Sequence, residues 1–336
     1  MKKRICSIGL VIVASWFAPA LPLWAGPKDA ERTWTDVEVA RREDPDFAVQ
    51  GEYISEEGAA SYGAQVVALG NGQFDAYVLE GGLPGAGWEP GKKRILIHGA
   101  RKDAAVVLGD PAATPRATIH NGVMELTLAD GSIRKLSHLV RRSITLGLKA
   151  PEGAVVLFDG KSADAWNGGA LNGEWLKAGC TSKEKYGSYT LHLEFQTPYK
   201  PDSRGQKRGN SGIYHSGRWE TQILDSFGLD VQDNHCGGIY SIAKPRLNMC
   251  LPPLSWQTYD VDFKAARFDE AGKRIAWPRI TVRLNGVLVH EDLELAKDFT
   301  TAAPCNSPLT GPDGPVNLQD HGNPVLFRNI WIVPGK

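Results

Sequence analysis

The sequence lacks a net charge, has few cysteines and contains no long apolar run after its first residues. Lys plus Arg and Asp plus Glu both number 38, so no strong positive field is available for nucleic acid or an anionic membrane. Beyond the N-terminus, no segment approaches the roughly 20 apolar residues that a membrane helix needs. The five cysteines show no paired C-x-x-C spacing of the zinc type. We therefore expect a globular protein with no nucleic-acid partner and no membrane span.

The first residues have the pattern of a signal peptide. Lys2-Lys3-Arg4 precede an apolar run from Ile5 to about Ala20, and small residues follow at Ala25-Gly26. The apolar run is too short for a good membrane span. We expect residues 1–25 to be removed and the mature chain to be exported, to the periplasm or outside the cell.

Four cysteines follow the predicted signal peptide: Cys180, Cys236, Cys250 and Cys305. An even number in an oxidising compartment permits two disulfides. Buried thiols in a β-sandwich are an equally good interpretation. Because Cys236 and Cys250 are close in the chain, a disulfide between these two is slightly preferred.

Residues 26–150 form a region of short strands separated by Gly, Asn-Gly and Asp-Gly turns. A charged helix over residues 30–42 precedes the strands and ends before Asp44-Pro45. The pattern predicts a small β-rich, antiparallel N-terminal domain. Its predicted strands cover residues 47–54, 64–69, 75–79, 94–98, 104–108, 117–119, 123–128 and 133–139.

Residues 151–336 also contain many short strands and no long helical periodicity. Such a pattern predicts an all-β sandwich or jelly roll. Asn285-Gly286 lies between two of the strands and is the signal of a type I′ hairpin. The predicted strands cover residues 155–158, 175–178, 189–197, 211–215, 219–224, 238–241, 257–264, 279–284, 287–293 and 325–333.

The segment over residues 209–228 carries the most informative polar pattern. Successive side chains of a strand face opposite sides, so Glu220 and Gln222 share one face while Trp219 and Ile223 share the other. A carboxylate and a carboxamide two residues apart pack poorly, but they are good ligands for a sugar. We therefore place candidate sugar-binding residues on this strand.

Further polar side chains in alternating or turn positions predict a common cleft with Glu220 and Gln222. Trp256, which follows Pro252-Pro253 in a loop, is the best candidate for stacking on the apolar face of a sugar. The other candidates are Glu194, Asn210, Asp225, Gln319, Asp320 and His321.

Seven motifs follow one another in this part of the chain: LFDGKSADAW, LEF, GNSGIY, WETQILDS, YDVDFKAARFD, ITVRLNGVLVH and LQDHGNPVLFRNIWI. Their order over residues 153–334 resembles the 3-keto-disaccharide hydrolase family. The resemblance implies a concanavalin-like jelly-roll sandwich, here preceded by the smaller β-rich domain. Because the motifs and the candidate site lie within residues 153–334, we expect this part to fold and act alone.

The resemblance also implies a reaction. A partner sugar 3-oxidoreductase would first oxidise a glycoside to its 3-keto form, and this protein would hydrolyse the oxidised carbohydrate. The carbonyl acidifies the C2 hydrogen, a base removes it, the C1 substituent departs and water adds. His321 suits the base or acid because imidazole titrates near neutrality, and Asp320 or Glu220 would orient His321 or replace it.

Other interpretations stay open at the sequence level. Asp320 could cap the turn at Gly322, with His321 as a packing residue. A divalent metal could bind some of Glu220, Asp320 and His321, although the spacing gives no signature. A non-catalytic, lectin-like carbohydrate-binding module would keep the sugar ligands without the chemistry.

A conventional glycoside hydrolase is the remaining alternative, and it requires a pair of carboxylates. Laminarinase-type enzymes on this fold carry the pattern E-x-D-x-x-E on one strand. This chain has Glu220-Thr-Gln-Ile-Leu-Asp225, in which an amide replaces the middle acid. The glycosidase interpretation is weakened by that replacement.

Overall fold

The computed structural model describes residues 31–55 and 61–335. The predicted signal peptide over residues 1–25 lies outside the described residues. Within these residues, none of the helices has the length and apolar character needed to cross a membrane. The described chain is all-β apart from one α-helix and one 3-10 helix, which confirms the predicted fold class.

The helix α1 (Val37–Glu43) precedes the first strand. It begins later than predicted because Asp36 is extended and its side chain accepts a hydrogen bond from the backbone N–H of Val39. This is an N-cap, which satisfies a backbone donor that the first turn of a helix leaves free.

The N-terminal strands confirm the eight that the turn pattern predicts, and add two short parallel ones in a connection. Their bounds are β1 (Gly51–Ser55), β2 (Tyr62–Gly70), β3 (Gln73–Glu80), β4 (Leu83–Pro84), β5 (Gly87–Trp88), β6 (Arg94–Lys102), β7 (Ala105–Leu108), β8 (Arg116–His120), β9 (Val123–Thr127) and β10 (Ile133–Leu139). Eight of them close into an antiparallel barrel in the order β1, β10, β9, β8, β7, β6, β3, β2. Alternate apolar side chains, such as Ile119 and Met124 on paired strands, fill its interior.

The C-terminal strands form a large sheet, a small sheet and a separate pair of short strands over residues 267–268 and 274–276. Their bounds are β11 (Val155–Phe158), β12 (Trp166–Asn167), β13 (Leu171–Asn172), β14 (Trp175–Lys177), β15 (Cys180–Ser182), β16 (Tyr189–Gln196), β17 (Ser211–His215), β18 (Trp219–Ile223), β19 (Gln257–Lys264), β20 (Arg267–Phe268), β21 (Arg274–Ala276), β22 (Arg279–Leu284), β23 (Val287–Glu294), β24 (Asn317–Leu318) and β25 (Leu326–Pro334). The large sheet has the order β13, β14, β25, β16, β19, β22, β23, with β11 also paired to β25. The small sheet has the order β12, β15, β24, β17, β18.

Two local predictions in this part have clear outcomes. Asn285 and Gly286 both adopt positive φ, 55° and 81°, as the type I′ turn between β22 and β23 requires. The predicted strand over residues 238–241 is not formed, since only Ile239 makes isolated bridges there, to Thr221 and Ala243. The backbone there hydrogen-bonds to the edge of β18 as an irregular loop.

The two sheets enclose one apolar core. Leu193 and Phe195 of β16 belong to it together with Trp219 and Ile223 of β18, and all four are buried. Burying a side chain of this kind contributes about 1.5–3 kcal/mol. The polar residues between them on each strand are thereby turned away from the core.

The barrel and the sandwich complete each other's cores. Val67 and Tyr77 of the barrel belong to the core of the sandwich, while Tyr199 and Leu254 of the sandwich belong to the core of the barrel. The Tyr199 hydroxyl also donates to the buried Asp44 at 3.0 Å. This packing argues against the expectation that residues 153–334 fold and act alone, because their apolar surface would then be exposed to water.

The structure favours the buried-thiol interpretation for three of the four cysteines, while Cys305 is half-buried. All four cysteines of the described chain are free, so the Cys236–Cys250 disulfide is not formed. Cys236 and Cys250 are nevertheless neighbours, and both are buried. The Cys236 thiol lies 3.4 Å from the Tyr259 hydroxyl, and the Cys250 thiol donates to the carbonyl of Leu224 at 3.5 Å.

Candidate active site

The strand β18 places Glu220 and Gln222 on the face of the small sheet that points away from the sandwich core. Its neighbour β17 pairs Gly212 with Gln222 and Tyr214 with Glu220, so these residues share that face. Trp219 and Ile223 point into the core, as the alternation predicts. Loops cover the polar face, since Glu220 and Gln222 are only 2% and 1% exposed.

Glu220 is a buried carboxyl group with one hydroxyl partner. The Tyr214 hydroxyl lies 2.9 Å from Glu220 Oε2, and Gln319 Nε2 donates to the Tyr214 oxygen at 3.2 Å. No Lys, Arg or His of the described residues forms an ion pair with Glu220. Burial therefore raises the pKa of Glu220 to about 7, against the opposing effect of the Tyr214 hydrogen bond. A carboxyl with this pKa is suited to proton transfer near neutral pH.

A glycine makes room for this carboxyl. Any side chain at Gly212 would collide with Glu220 Oε1. Gly212 lies between Asn210 and Tyr214 on the same face, and Gln319 N donates to its carbonyl at 2.9 Å. The GNSGIY sequence thus combines a polar strand with the space that the Glu220 side chain needs.

Tyr214 should control the protonation of Glu220. Burial raises the pKa of Tyr214 far above its usual value, so the hydroxyl stays a donor. The Tyr214→Phe variant removes the one interaction that lowers the pKa of Glu220. We expect the rise of kcat/KM with pH to move to higher pH in this variant, measured between about pH 5 and pH 9. An unshifted profile would contradict the pairing.

A group of amide side chains lies on the same face, beside Glu220. Gln222 Nε2 and Asn210 Nδ2 both donate to Gln206 Oε1 at 3.0 Å, and Gln222 Nε2 also lies 3.2 Å from the carbonyl of Asn234. Gln206 is in the 3-10 helix Gly205–Lys207. These contacts bring two loops and a strand together around one polar centre.

Four amide oxygens of this group are buried without a hydrogen-bond partner in the described chain. They belong to Asn210, Gln222, Asn234 and Gln319. A buried acceptor without a partner costs about 1–3 kcal/mol, so such groups mark a place for a ligand or water. Four acceptors on one face match a ligand that carries several hydroxyl donors, as a sugar does.

The segment over residues 297–303 borders this face. Thr300 Oγ1 accepts the backbone N–H of Glu220 at 3.1 Å, and the carbonyl of Thr301 lies 2.9 Å from the Tyr214 hydroxyl. The same two threonines line a cavity of about 330 Å³, together with Ser241 and Phe299. Space for part of a ligand therefore adjoins the residues that contact Glu220.

Asp320 and His321 are not part of the buried group. Both are exposed, and Asp320 Oδ1 accepts the backbone N–H of Gly322 at 2.8 Å. This is the turn-capping interaction of an Asx turn. The structure therefore does not favour the predicted base at His321, since its imidazole has no partner to orient it in the described chain.

Glu194 lies on the opposite side of the sandwich from Glu220. It points away from the core on the large sheet, where Arg328 donates to it at 2.6 Å and the backbone N–H of Gly147 donates at 2.6 Å. Burial opposes ionisation, but hydrogen bonds from His192, Asn329, Gly147 and Arg328 lower the pKa of Glu194 to about 2. Its predicted place in a common cleft is corrected: the sheet core separates the two carboxyl groups.

Within the described chain, Asp225 and Trp256 make no hydrogen bond with the amide group. Asp225 is buried in an ion pair with Arg208, at 2.6 Å, where the sandwich meets the barrel. Trp256 packs on Trp175, with ring centres 4.9 Å apart, and on the Arg328 guanidinium at 4.1 Å. Their predicted contact with the same sugar as Glu220 is not supported by these positions.

The structure also adds residues that the sequence analysis missed. Tyr214 alternates with Gly212 on β17 and with Asn210 just before the strand, so the pattern applied to Glu220 and Gln222 could have found it. Gln206 comes from the 3-10 helix Gly205–Lys207 and Asn234 from a turn, where no periodicity marks a shared face. Among the described residues, no group of three or more His, Cys, Asp or Glu side chains could hold a metal ion. Glu220, Asp320 and His321 are accordingly not brought together as ligands.

Comparison with known proteins finds similar solved structures and one matching family. The chain is 31% identical to a "putative glycosyl hydrolase" from Parabacteroides distasonis ATCC 8503, over 55% of this chain and 85% of that one, with a TM-score of 0.51. A second structure with that description, from the same organism, is 17% identical over 55% of this chain and 95% of that one, with a TM-score of 0.41. No curated protein matches the chain. Residues 153–333, more than half of the chain, match the model of one family, and the chain therefore belongs to the family of 3-keto-alpha-glucoside-1,2-lyase-like domains.

Proposed function

We propose that the protein cleaves 3-keto-glycosides by elimination, with Glu220 as the base. The observation that carries the proposal is a buried carboxyl with a pKa of about 7 on a face with four unpartnered amide oxygens. The family and the "putative glycosyl hydrolase" from Parabacteroides distasonis support a role in glycoside cleavage.

The proposed reaction needs one well-placed base. Glu220 takes the C2 proton of the 3-keto sugar, and the C–H electron pair forms the C1–C2 double bond as the C1–O bond breaks. The leaving oxygen takes the bond electrons and the proton that Glu220 removed from C2, which restores the Glu220 carboxylate. Water then adds across the double bond, with hydroxide at C1 and a proton at C2, and the sum is hydrolysis.

The other residues of the face would position the sugar. The unpartnered oxygens of Asn210, Gln222, Asn234 and Gln319 would accept its hydroxyl hydrogens. Tyr214 would hold the Glu220 carboxyl at 2.9 Å and keep its pKa from rising further. Positioning of this kind converts a bimolecular proton transfer into a reaction within one complex.

A conventional glycosidase finds less support in this geometry. Such an enzyme uses two carboxyl groups on either side of the glycosidic bond. Asp225, the nearest acid in the chain after Glu220, is buried against Arg208 at 2.6 Å and so is neutralised by it. The elimination route needs Glu220 alone as an acid–base carboxyl.

Deuterium at C2 tests the reaction. A 3-keto-glucoside labelled with deuterium at C2 should lose the label to water during turnover, and the unoxidised glucoside should remain intact. Mass spectrometry of the product sugar measures the label. Full retention with equal cleavage of the unoxidised glucoside would support a glycosidase instead, and tight sugar binding without turnover would support a lectin-like module.

The setting of the reaction is part of the proposal. A sugar 3-oxidoreductase must supply the substrate, because the C2 hydrogen becomes acidic only beside a carbonyl. The signal-like residues 1–25 support export of the mature chain to the periplasm or beyond.

A further inference from the structure

A second concave site lies between the barrel and the sandwich, and none of the amide residues beside Glu220 lines it. This interdomain groove has a volume of about 670 Å³. Its walls include Arg41 of α1, Gln50 and His138 of the barrel, Arg142 of the connection, and Trp256 and Arg328 of the sandwich. A volume of this size holds a small ligand or a few sugar units.

The charge of the lining has one sign. Arg41, Arg141, Arg142 and Arg328 line the groove, and no Asp or Glu of the described residues does. Arg141 and Arg328 are held by the buried Glu52 and Glu194 behind them. Arg142 is exposed and makes no ion pair within the described chain. Arg41 pairs with Glu38 at 2.7 Å, so Arg142 is the arginine of this lining whose charge has no carboxylate partner among the described residues.

Gln50 supplies an unpartnered donor in the wall of the groove. Its side chain is only 4% exposed, and its Oε1 accepts from the backbone N–H of Ala68 at 3.1 Å and from Arg208 at 3.3 Å. Its Nε2 is buried without a partner in the described chain. Such a donor requires an acceptor, which an anionic ligand or one rich in oxygen would supply.

Two contacts hold the Arg328 guanidinium at the groove and leave its terminal N–H groups free in the described chain. Its guanidinium lies 4.1 Å from the centre of the Trp256 ring, and its Nε donates to Glu194 at 2.6 Å. Its two terminal nitrogens make no hydrogen bond within the described residues. A planar guanidinium with free terminal N–H groups matches the geometry of a carboxylate.

We propose that the interdomain groove binds an acidic oligosaccharide through its uronate carboxylates. Arg142, Arg328 and Gln50 donate to the carboxylate and ring oxygens, while Trp256 and the exposed Val140 provide apolar contact. The arginines of the lining indicate that the ligand is an anion. The assignment of the ligand as a carbohydrate rests on the proposed function. The groove thus holds an acidic part of a glycan apart from the site at Glu220.

Direct binding tests this proposal without any turnover. Trigalacturonate and the neutral maltotriose are titrated into the full-length protein by calorimetry. We expect trigalacturonate to bind, to bind about tenfold more weakly to Arg142→Gln, and to lose affinity as salt rises. Maltotriose should not bind detectably in the groove. The matched control is Arg267→Gln, an exposed arginine on the sandwich outside the groove, which should bind trigalacturonate like the wild type.

Several results would overturn the proposal. The first is that trigalacturonate does not bind. The second is that Arg142→Gln binds trigalacturonate with the affinity of the wild type. The third is that the wild type binds maltotriose as tightly as trigalacturonate. Citrate binding as tightly as trigalacturonate would overturn the carbohydrate assignment. Since binding is measured on unlabelled sugars that carry no 3-keto group, a failure of the proposed elimination would not alter these results.

Discussion

The Glu220→Gln variant is expected to lower kcat on a 3-keto-glycoside by about 10²–10⁴. Glutamine keeps the size of the side chain and an oxygen that can accept from the Tyr214 hydroxyl, which lies 2.9 Å away in the wild type. It cannot take a proton from C2. Because the amide residues that would hold the sugar are untouched, KM should change little, so the loss falls on the chemical step.

The same variant should be more stable than the wild type at alkaline pH. Burial raises the pKa of Glu220 from 4.5 to about 7, so the folded state favours the protonated acid. The stability that the protonated Glu220 side chain contributes is fully present below the pKa of this carboxyl in the unfolded chain, and it is lost as pH rises through about 7. Above pH 7 the wild type carries a buried charge that the neutral glutamine side chain lacks, and we expect a gain of roughly 1–3 kcal/mol in the variant.

Thermal unfolding at about pH 5 and pH 8.5, together with steady-state kinetics, measures both effects. Glu184→Gln is the matched control, since Glu184 is an exposed acid of the same domain. It should change neither kcat nor the pH dependence of stability. Full activity of Glu220→Gln would show that the base is another residue.

The second large effect is expected at the ion pair between Arg208 and Asp225. Arg208 Nε donates to Asp225 Oδ2 at 2.6 Å, and the two side chains are 5% and 1% exposed. The Arg208→Met variant leaves the Asp225 charge buried and unpaired, which costs about 3–5 kcal/mol. Arg208 also donates to the carbonyl of Ala68 at 3.1 Å, so the contact with the barrel is weakened as well.

Denaturant unfolding of Arg208→Met measures this loss. The double variant Arg208→Met with Asp225→Leu should recover most of it, because both buried charges are then removed. Arg267→Gln, at an exposed site, should stay within about 0.5 kcal/mol of the wild type. A wild-type stability for Arg208→Met alone would mean that solvent reaches Asp225.

Alternation along strands predicted much of the fold and part of the site. It identified the eight barrel strands and placed Glu220 and Gln222 opposite Trp219 and Ile223. It could not tell that Glu194 and Glu220 lie on outward faces of different sheets, because a period of two fixes faces within a strand and not between sheets. The separation of the two carboxyl groups is a tertiary property.

A bulge caused another difference between pattern and structure. The spacing of Phe327 and Trp331 places both on one face, yet Phe327 is in the sandwich core while Trp331 stacks on His192 under the connection to the barrel. The register of β25 shifts between its pairs with His192 and Glu194, and Asn329 there has a positive φ of 44°. One extra residue reverses the faces that follow it, and no residue type in the sequence marks the position.

The closed barrel has a consequence for the order of events during synthesis. Its strands, residues 51–139, leave the ribosome before Tyr199 and Leu254, the two sandwich residues that fill its core. A closed barrel has no free strand edge, which protects these eight strands from pairing with another chain. Its core lacks Tyr199 and Leu254 until the later half of the chain is made, and Arg208 cannot contact Gln50 and Ala68 before then. The half of the chain that carries Glu220 therefore completes the packing of the half that is made first.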